Sequence, residues 1–336
     1  MKRGWISLMM LAVAFGCSND GTVDPGTWDS YRNPVEQSDV QDPAFYQENG
    51  KFYLFSSVPP AEDADDATMT SVIPIMESTD LTTWQRSKSV FNADTKPSFI
   101  SGAYPICPEI ALVADRYLLY YSMSTVEKSG IGVAVCDLIN GDYVDRGQII
   151  SSTSARVDGV CSPSFISDGG RNYLVFGNFN GIYMIELSAN GLSTVGSPVQ
   201  IASEVFDAPY IYKRGEWFYL FATVGMTDGG AECKCTLEVG RSKNIDGPFV
   251  NKGGEEMMKG YSELLIGNSA KFTGAGHGCV FDLADGSTWI LYNAYDLSNV
   301  KKGRTLMLDR INWADDWPSV RGQIGSYCSD KPVLNK

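Results

Sequence analysis

The chain has 336 residues, 43% of them hydrophobic and 20% charged; that balance excludes a disordered or fibrous chain and leaves room for one large core. With 40 acidic against 27 basic residues the formal net charge is −13, which excludes nucleic acid and anionic lipid surfaces as natural partners and suits a neutral polymer such as a glycan. Glycine is frequent at 34 residues and aromatic residues make up 12%, the mark of many turns between aromatic strands and so of an all-β chain.

The N-terminus reads as an export signal. Lys2 and Arg3 give a basic start, residues 5–15 are nearly all apolar, and Gly16 precedes Cys17. The run is too short to span a bilayer and fits the core of a signal peptide. Ala14-Phe15-Gly16-Cys17 resembles a bacterial lipobox, with Cys17 as the lipidated first residue of the mature chain; Leu is usual at the place of Ala14 and a small residue at the place of Phe15. The expected division is a lipoprotein signal peptide over 1–17, a polar tether over 18–27 and a single domain over 28–336. The product is then an exported monomer, at the outer membrane or cell surface or in the periplasm, touching membrane only through its lipid. Simple cleavage and secretion is the other reading. Seven further cysteines follow, at 107, 136, 161, 233, 235, 279 and 328. Cys233-x-Cys235 offers half a zinc site, but the one histidine, His277, is remote in sequence. A local disulfide or two thiols is the expectation there.

From residue 41 onward five segments share one plan: a short strand, a polar turn and an aromatic strand. They are QDPAFYQENGKFYLFSS from Gln41, ICPEIALVADRYLLYYS from Ile106, CSPSFISDGGRNYLVFG from Cys161, DAPYIYKRGEWFYLFAT from Asp207 and GHGCVFDLADGSTWILYNA from Gly276. Pro43, Pro108, Pro163 and Pro209 open the first four, and Tyr53, Leu118, Tyr173 and Tyr219 fall at one offset after them; Gly276-His277-Gly278 replaces the proline entry in the fifth. Such units read as β-hairpins. Each interval has room for two more strands, as at 130–136 and 181–187, and units start roughly 45 to 70 residues apart, the spacing of propeller blades. The pattern predicts a five-bladed β-propeller, with aromatic pairs packing between blades and only short edges left after closure.

In a propeller the first strand of each blade lines the central channel, so the residues opening these strands converge at one mouth. They are Asp42, Cys107 with Glu109, Ser162, Asp207 and His277. Carboxylates around a polar pocket suit glycosidic bond cleavage, one protonated to serve the leaving oxygen and another ionised to activate water. His277 either helps to hold a hard cation through water or is a hydrogen-bonded core histidine. No Gly-x-Ser-x-Gly elbow and no phosphate-binding glycine loop occurs, and no organic cofactor is expected.

Several segments together resemble glycoside hydrolase family 43, and its arabinanase and α-L-arabinofuranosidase members in particular. They are Gln41-Asp42-Pro43, 117–122, 130–134, Asp207-Ala208-Pro209-Tyr210, Val239-Gly240-Arg241-Ser242, Gly247-Pro248-Phe249, Gly276-His277-Gly278, Gly303-Arg304, Trp313 and Trp317-Pro318. The resemblance spans 39–318. It implies a five-bladed propeller that hydrolyses arabinose- or xylose-containing plant polysaccharide with inversion. Asp42 takes the place of the base, Asp207 that of the acid, usually a glutamate, and Ser162 that of the aspartate that tunes the acid's pKa. His277 takes the place of a central histidine beside a calcium or sodium ion. The shorter Asp207 retracts the acid by roughly 1.5 Å, one C–C bond, and uncharged Ser162 is expected to let the acid's pKa fall. Glu109 and Asp158 are the candidates to line the substrate pocket and replace the lost charge. A glycan-binding propeller that has lost turnover is the alternative. A propeller serving a protein partner is disfavoured by the retained Asp42, Asp207 and His277.

Overall fold

The computed structural model describes residues 29–58, 72–225 and 229–334; Cys17, the export segment and the tether at 18–27 lie outside them. Within them the chain forms five four-stranded antiparallel sheets, each with its strands hydrogen-bonded in sequence order. Blade one comprises Gln41–Glu48, Lys51–Ser57, Val72–Ser78 and Gln85–Phe91, and blade two Ile106–Val113, Arg116–Ser124, Ser129–Cys136 and Val144–Ser151. Blade three comprises Ser164–Asp168, Arg171–Asn178, Gly181–Leu187 and Thr194–Ala202, and blade four Phe206–Arg214, Trp217–Val224, Thr236–Ser242 and Glu263–Ile266. Blade five comprises Phe272–Asp282, Thr288–Asp296, Arg304–Ala314 and Trp317–Ser319.

Local chemistry explains the hairpins. In blades one to three the first two strands pair across two-residue loops, Glu48 with Lys51, Val113 with Arg116 and Asp168 with Arg171. Both loop residues have positive φ: 51° and 73° at Asn49-Gly50, 49° and 60° at Ala114-Asp115, 56° and 79° at Gly169-Gly170. That backbone twist matches the strands it joins.

The first strands of successive blades lie side by side, and the first strand of blade five returns against that of blade one, so the ring is closed. A hydrophobic cluster fills each wedge between neighbours. Phe55, Phe91 and Tyr121 lie between blades one and two, Tyr120 and Phe176 between two and three, and Phe206 and Phe218 between three and four. Tyr219 and Tyr292 lie between four and five, and Leu54 and Trp289 between five and one. The expected aromatic pairs occur across these wedges, with Phe45 stacked on Phe281 at 3.8 Å and Tyr46 edge-on to Tyr117 at 5.5 Å.

The seam between blades five and one carries an extra clasp. Ser30–Arg32 pairs with Cys328–Asp330, and the next residues run along the third strand of blade five. Val35 N–H donates to Leu306 O at 2.9 Å, Leu306 N–H to Glu36 O at 3.0 Å and Val40 N–H to Arg304 O at 2.8 Å.

Candidate active site

The mouth of the channel is built from one repeated backbone device. Asp42, Cys107, Ser162, Ala208 and His277 all have φ between 46° and 51°, and each stands immediately before Pro43, Pro108, Pro163, Pro209 or Gly278. The strand register slips at this point in blades one, two, four and five. Left-handed backbone in a non-glycine residue costs about 1–3 kcal/mol and is kept where the surrounding structure enforces it, commonly at functional sites. Here it accompanies a bulge at the mouth; in blade four the left-handed residue is Ala208, next to Asp207.

Part of that enforcement is a hydroxyl from the preceding blade. Ser57, Ser122 and Thr223 stand fourteen residues after Pro43, Pro108 and Pro209. Ser57 Oγ accepts the Cys107 N–H at 2.7 Å, Ser122 Oγ that of Ser162 at 2.9 Å and Thr223 Oγ1 that of His277 at 3.0 Å. Blade three has Gly177 at this offset, and the Ala208 N–H instead donates to Asp207 Oδ1 at 2.7 Å. These hydroxyls carry no signal in isolation; their constant offset in the repeat is the signal that finds them.

Asp42 is tightly held. Its Oδ1 lies 3.0 Å from His277 Nδ1, and its Oδ2 accepts from Ser57 Oγ at 2.6 Å and from Cys107 Sγ at 3.3 Å. Burial opposes its ionisation, but the charge of His277 and the hydrogen bonds from His277, Ser57 and Cys107 outweigh burial and hold its pKa down at about 2. Asp207 behaves in the opposite way. Burial is the main cause that lifts it to about 6 and the repulsion of Asp42 adds to this, against the pull of His277, Arg304 and the Ala208 N–H. Both carboxyls keep partial access to the mouth. Burial thus lifts the Asp207 carboxyl above its ordinary value with no charge at Ser162.

Ser162 is buried at the mouth, with its Oγ 3.7 Å from Cys107 Sγ and 3.9 Å from Cys161 Sγ. Glu109 lies one layer deeper, two residues beyond Cys107. It is buried, its Oε1 accepts the Phe165 N–H at 2.8 Å and so ties blade two to blade three, and burial raises its pKa to about 8. Asp158 is exposed on the loop ahead of blade three. The largest charge effects on Asp207 come from His277, Asp42 and Arg304. Arg304 was given no role from sequence. It is buried, its Nη1 donates to Gly274 O and Asn293 Oδ1, both at 2.8 Å, and its guanidinium lies 4.6 Å from the Tyr295 ring centre. Cys233 and Cys235 stand as two thiols with Sγ atoms 3.1 Å apart.

The ligand atoms of Asp42, Cys107 and His277 lie within 4.8 Å of one another. Calcium takes about six to eight oxygen ligands, whereas this trio supplies one carboxylate, one imidazole and one thiol. Direct coordination of a hard cation does not fit that donor set. A wider cavity of about 720 Å³, lined by the Gln47–Lys51 turn, Asp282, Leu283, Val333 and Leu334, lies at the opposite ends of the inner strands of blades one and five, away from these carboxyls.

Known proteins carry the same architecture. A structure titled as an α-L-arabinanase of Cellvibrio cellulosa in complex with arabinohexaose superposes with a TM-score of 0.74 at 26% identity, over 87% of this chain and 99% of that one. An extracellular exo-α-(1→5)-L-arabinofuranosidase of Cellvibrio japonicus is 28% identical over 88% of this chain and 91% of its own length. An extracellular endo-α-(1→5)-L-arabinanase of Bacillus subtilis is 27% identical over 83% and 87%. The family model described as glycosyl hydrolases family 43 matches residues 31–318. That match runs from the N-terminal strand to the last strand of blade five and takes in all five blades and both mouth carboxylates: the chain belongs to glycosyl hydrolase family 43.

Proposed function

We propose that this family 43 glycosidase hydrolyses α-1,5-linked arabinan with inversion, with Asp42 as general base and Asp207 as general acid. The observation that carries the proposal is the divergence of two carboxyls in one mouth, Asp42 at about 2 and Asp207 at about 6. Environments that push paired carboxyls apart assign the acid and the base. Asp207 gives its proton to the departing glycosidic oxygen, while ionised Asp42 takes a proton from a water that attacks the anomeric carbon from the other face. Arabinan is favoured over xylan by the named activities of the relatives. Turnover is favoured over capture alone by the same relatives and by an Asp207 poised to hold its proton in mild acid.

The proposal includes export, supported by two relatives named as extracellular, and a lipid anchor at Cys17, supported by its sequence context. A calcium or sodium ion beside His277 belongs to it only as a hydrated ion held through its own waters. The decisive assay offers linear arabinan, branched arabinan, xylo-oligosaccharides and aryl arabinofuranosides, and follows product by proton NMR. Release from linear arabinan with the β-anomer appearing first is the expected result. Retention of configuration, release from xylan alone, or tight oligosaccharide binding without any release would each defeat the proposal. Asp42→Asn should lower kcat by roughly 10²–10⁴-fold, the usual share of acid–base catalysis, and leave oligosaccharide affinity within a few-fold.

A further inference from the structure

The group at the base of the mouth has the wrong chemistry for a hard cation and the right chemistry for a borderline-soft one. Asp42, Cys107 and His277 come from three different blades, and each is turned to the axis by the same left-handed backbone. Asp42 Oδ1 to His277 Nδ1 is 3.0 Å, and Asp42 Oδ2 to Cys107 Sγ is 3.3 Å. Zinc bonds of about 2.0 Å to nitrogen and oxygen and about 2.3 Å to sulfur, at tetrahedral angles, put ligand atoms roughly 3.3–3.5 Å apart. The two contacts are made by different carboxylate oxygens, and the three ligand atoms lie within 4.8 Å of one another, so turning the Asp42 carboxylate and drawing His277 Nδ1 and Cys107 Sγ together by up to about 1.3 Å would bring one oxygen, the nitrogen and the sulfur to that geometry.

The supports of the cluster are those of a built site. Ser57 Oγ donates to Asp42 and accepts from the Cys107 amide, and Thr223 Oγ1 fixes the His277 amide. Such outer partners orient metal ligands and are worth about 10–100-fold in metal affinity. Cys107 is buried, yet its thiol points at a carboxylate and at Ser162 Oγ instead of into an apolar wedge.

We infer that Asp42, Cys107 and His277 form a three-ligand site for a borderline-soft divalent ion such as zinc, with its fourth position open to the mouth. On binding, the Cys107 thiol releases its proton to solvent and coordinates as thiolate. His277 gives up to solvent the Nδ1 proton that it donates to Asp42, keeps a proton on Nε2 and coordinates through Nδ1, and Asp42 coordinates through one carboxylate oxygen. The ion occupies the oxygen that would take a proton from water, so zinc inhibits hydrolysis; this last consequence rests on Asp42 being the base.

The test is titration of the full-length, reduced protein with cobalt(II) as a coloured stand-in, and with zinc by calorimetry. A thiolate-to-cobalt absorption in the near ultraviolet is expected in the wild type, absent in Cys107→Ser and kept in the Cys233→Ser/Cys235→Ser double variant. Zinc affinity should fall in Cys107→Ser by more than the roughly 10–100-fold loss seen for an outer partner. Asp42→Asn should keep the thiolate band with weakened affinity, which tests the site even if Cys107→Ser folds poorly. A band that survives Cys107→Ser, one that vanishes in the double variant, or one displaced by an equal concentration of calcium would overturn the site. Inhibition of arabinan hydrolysis by zinc, reversed by a chelator, is the functional counterpart. A band without inhibition would leave the metal site standing and remove Asp42 from its role as base.

Discussion

Asp207 is one methylene shorter than the glutamate usual at its place, and its Oδ1 is engaged by the amide of the next residue. Two quantities therefore govern the acid: its reach and its proton. Its carboxyl is lifted to about 6 and must be protonated to act, whereas Asp42, at about 2, must be ionised. Activity is then full between these values and is lost as pH rises through about 6. The free-enzyme profile of kcat/KM should show this alkaline limb, with the acid limb below the working range. A profile flat to pH 8 would remove Asp207 from the role. Asp207→Glu restores reach, and misplacement by 1 Å can cost about 100-fold, so kcat should rise by about tenfold or more. Adding Ser162→Asp places a second charge in the mouth and should move the alkaline limb upward. If only the double variant gains, charge limits the enzyme; if the single variant gains as much, reach does.

At the scale of strands, the repeat was legible in the proline entries, the polar turns and the aromatic second strands. Regions 130–136 and 181–187 were expected as added strands, and Ser129–Cys136 and Gly181–Leu187 occupy them. The outermost strands, such as Val144–Ser151 and Thr194–Ala202, were not read. One of their faces meets solvent, and their mostly exposed or half-buried side chains leave little apolar pattern to see. A glycine within a strand marks a close approach. A Cβ added to Gly132 would lie 2.5 Å from the Tyr121 hydroxyl and 2.7 Å from the Phe99 ring, and Tyr121 is fixed by its hydrogen bond to Asp145 at 2.6 Å. Gly132→Ala should destabilise by about 1–3 kcal/mol, the usual cost of overpacking. A denaturant midpoint equal to that of the wild type would show that the wedge between blades one and two is looser than this geometry.

At the scale of the whole molecule, the N-terminal clasp reinforces the seam between blades five and one. Asn33 is buried, and its side chain donates to Leu308 O at 2.8 Å and to Ser326 O at 3.0 Å while accepting from Leu308 N–H at 2.9 Å. Asn33→Ala leaves the Leu308 N–H without this partner, while Leu308 O keeps the Tyr31 hydroxyl at 2.6 Å; the expected cost is about 1–3 kcal/mol. Hydrogen exchange should quicken first in blade five, with blade three less affected; uniform quickening would mean that the clasp is not a local lock.

The division between sequence and tertiary structure follows from the range of each interaction. Hairpin turns, strand alternation and the proline entry are local, so the sequence by itself determined five similar units, a propeller and the placing of Asp42, Ser162, Asp207 and His277 at or just before the first strands of their blades. Ionisation is not local. Whether Asp207 keeps a proton depends on how densely other blades surround it; the sequence showed the missing charge at Ser162 and could not show the burial that lifts the carboxyl. Partnership is not local either: Asp42 lies 65 residues from Cys107 and still further from His277 in the chain, and only ring closure brings the three together. The same closure buries Glu109 against blade three, while Asp158 stays exposed on a loop.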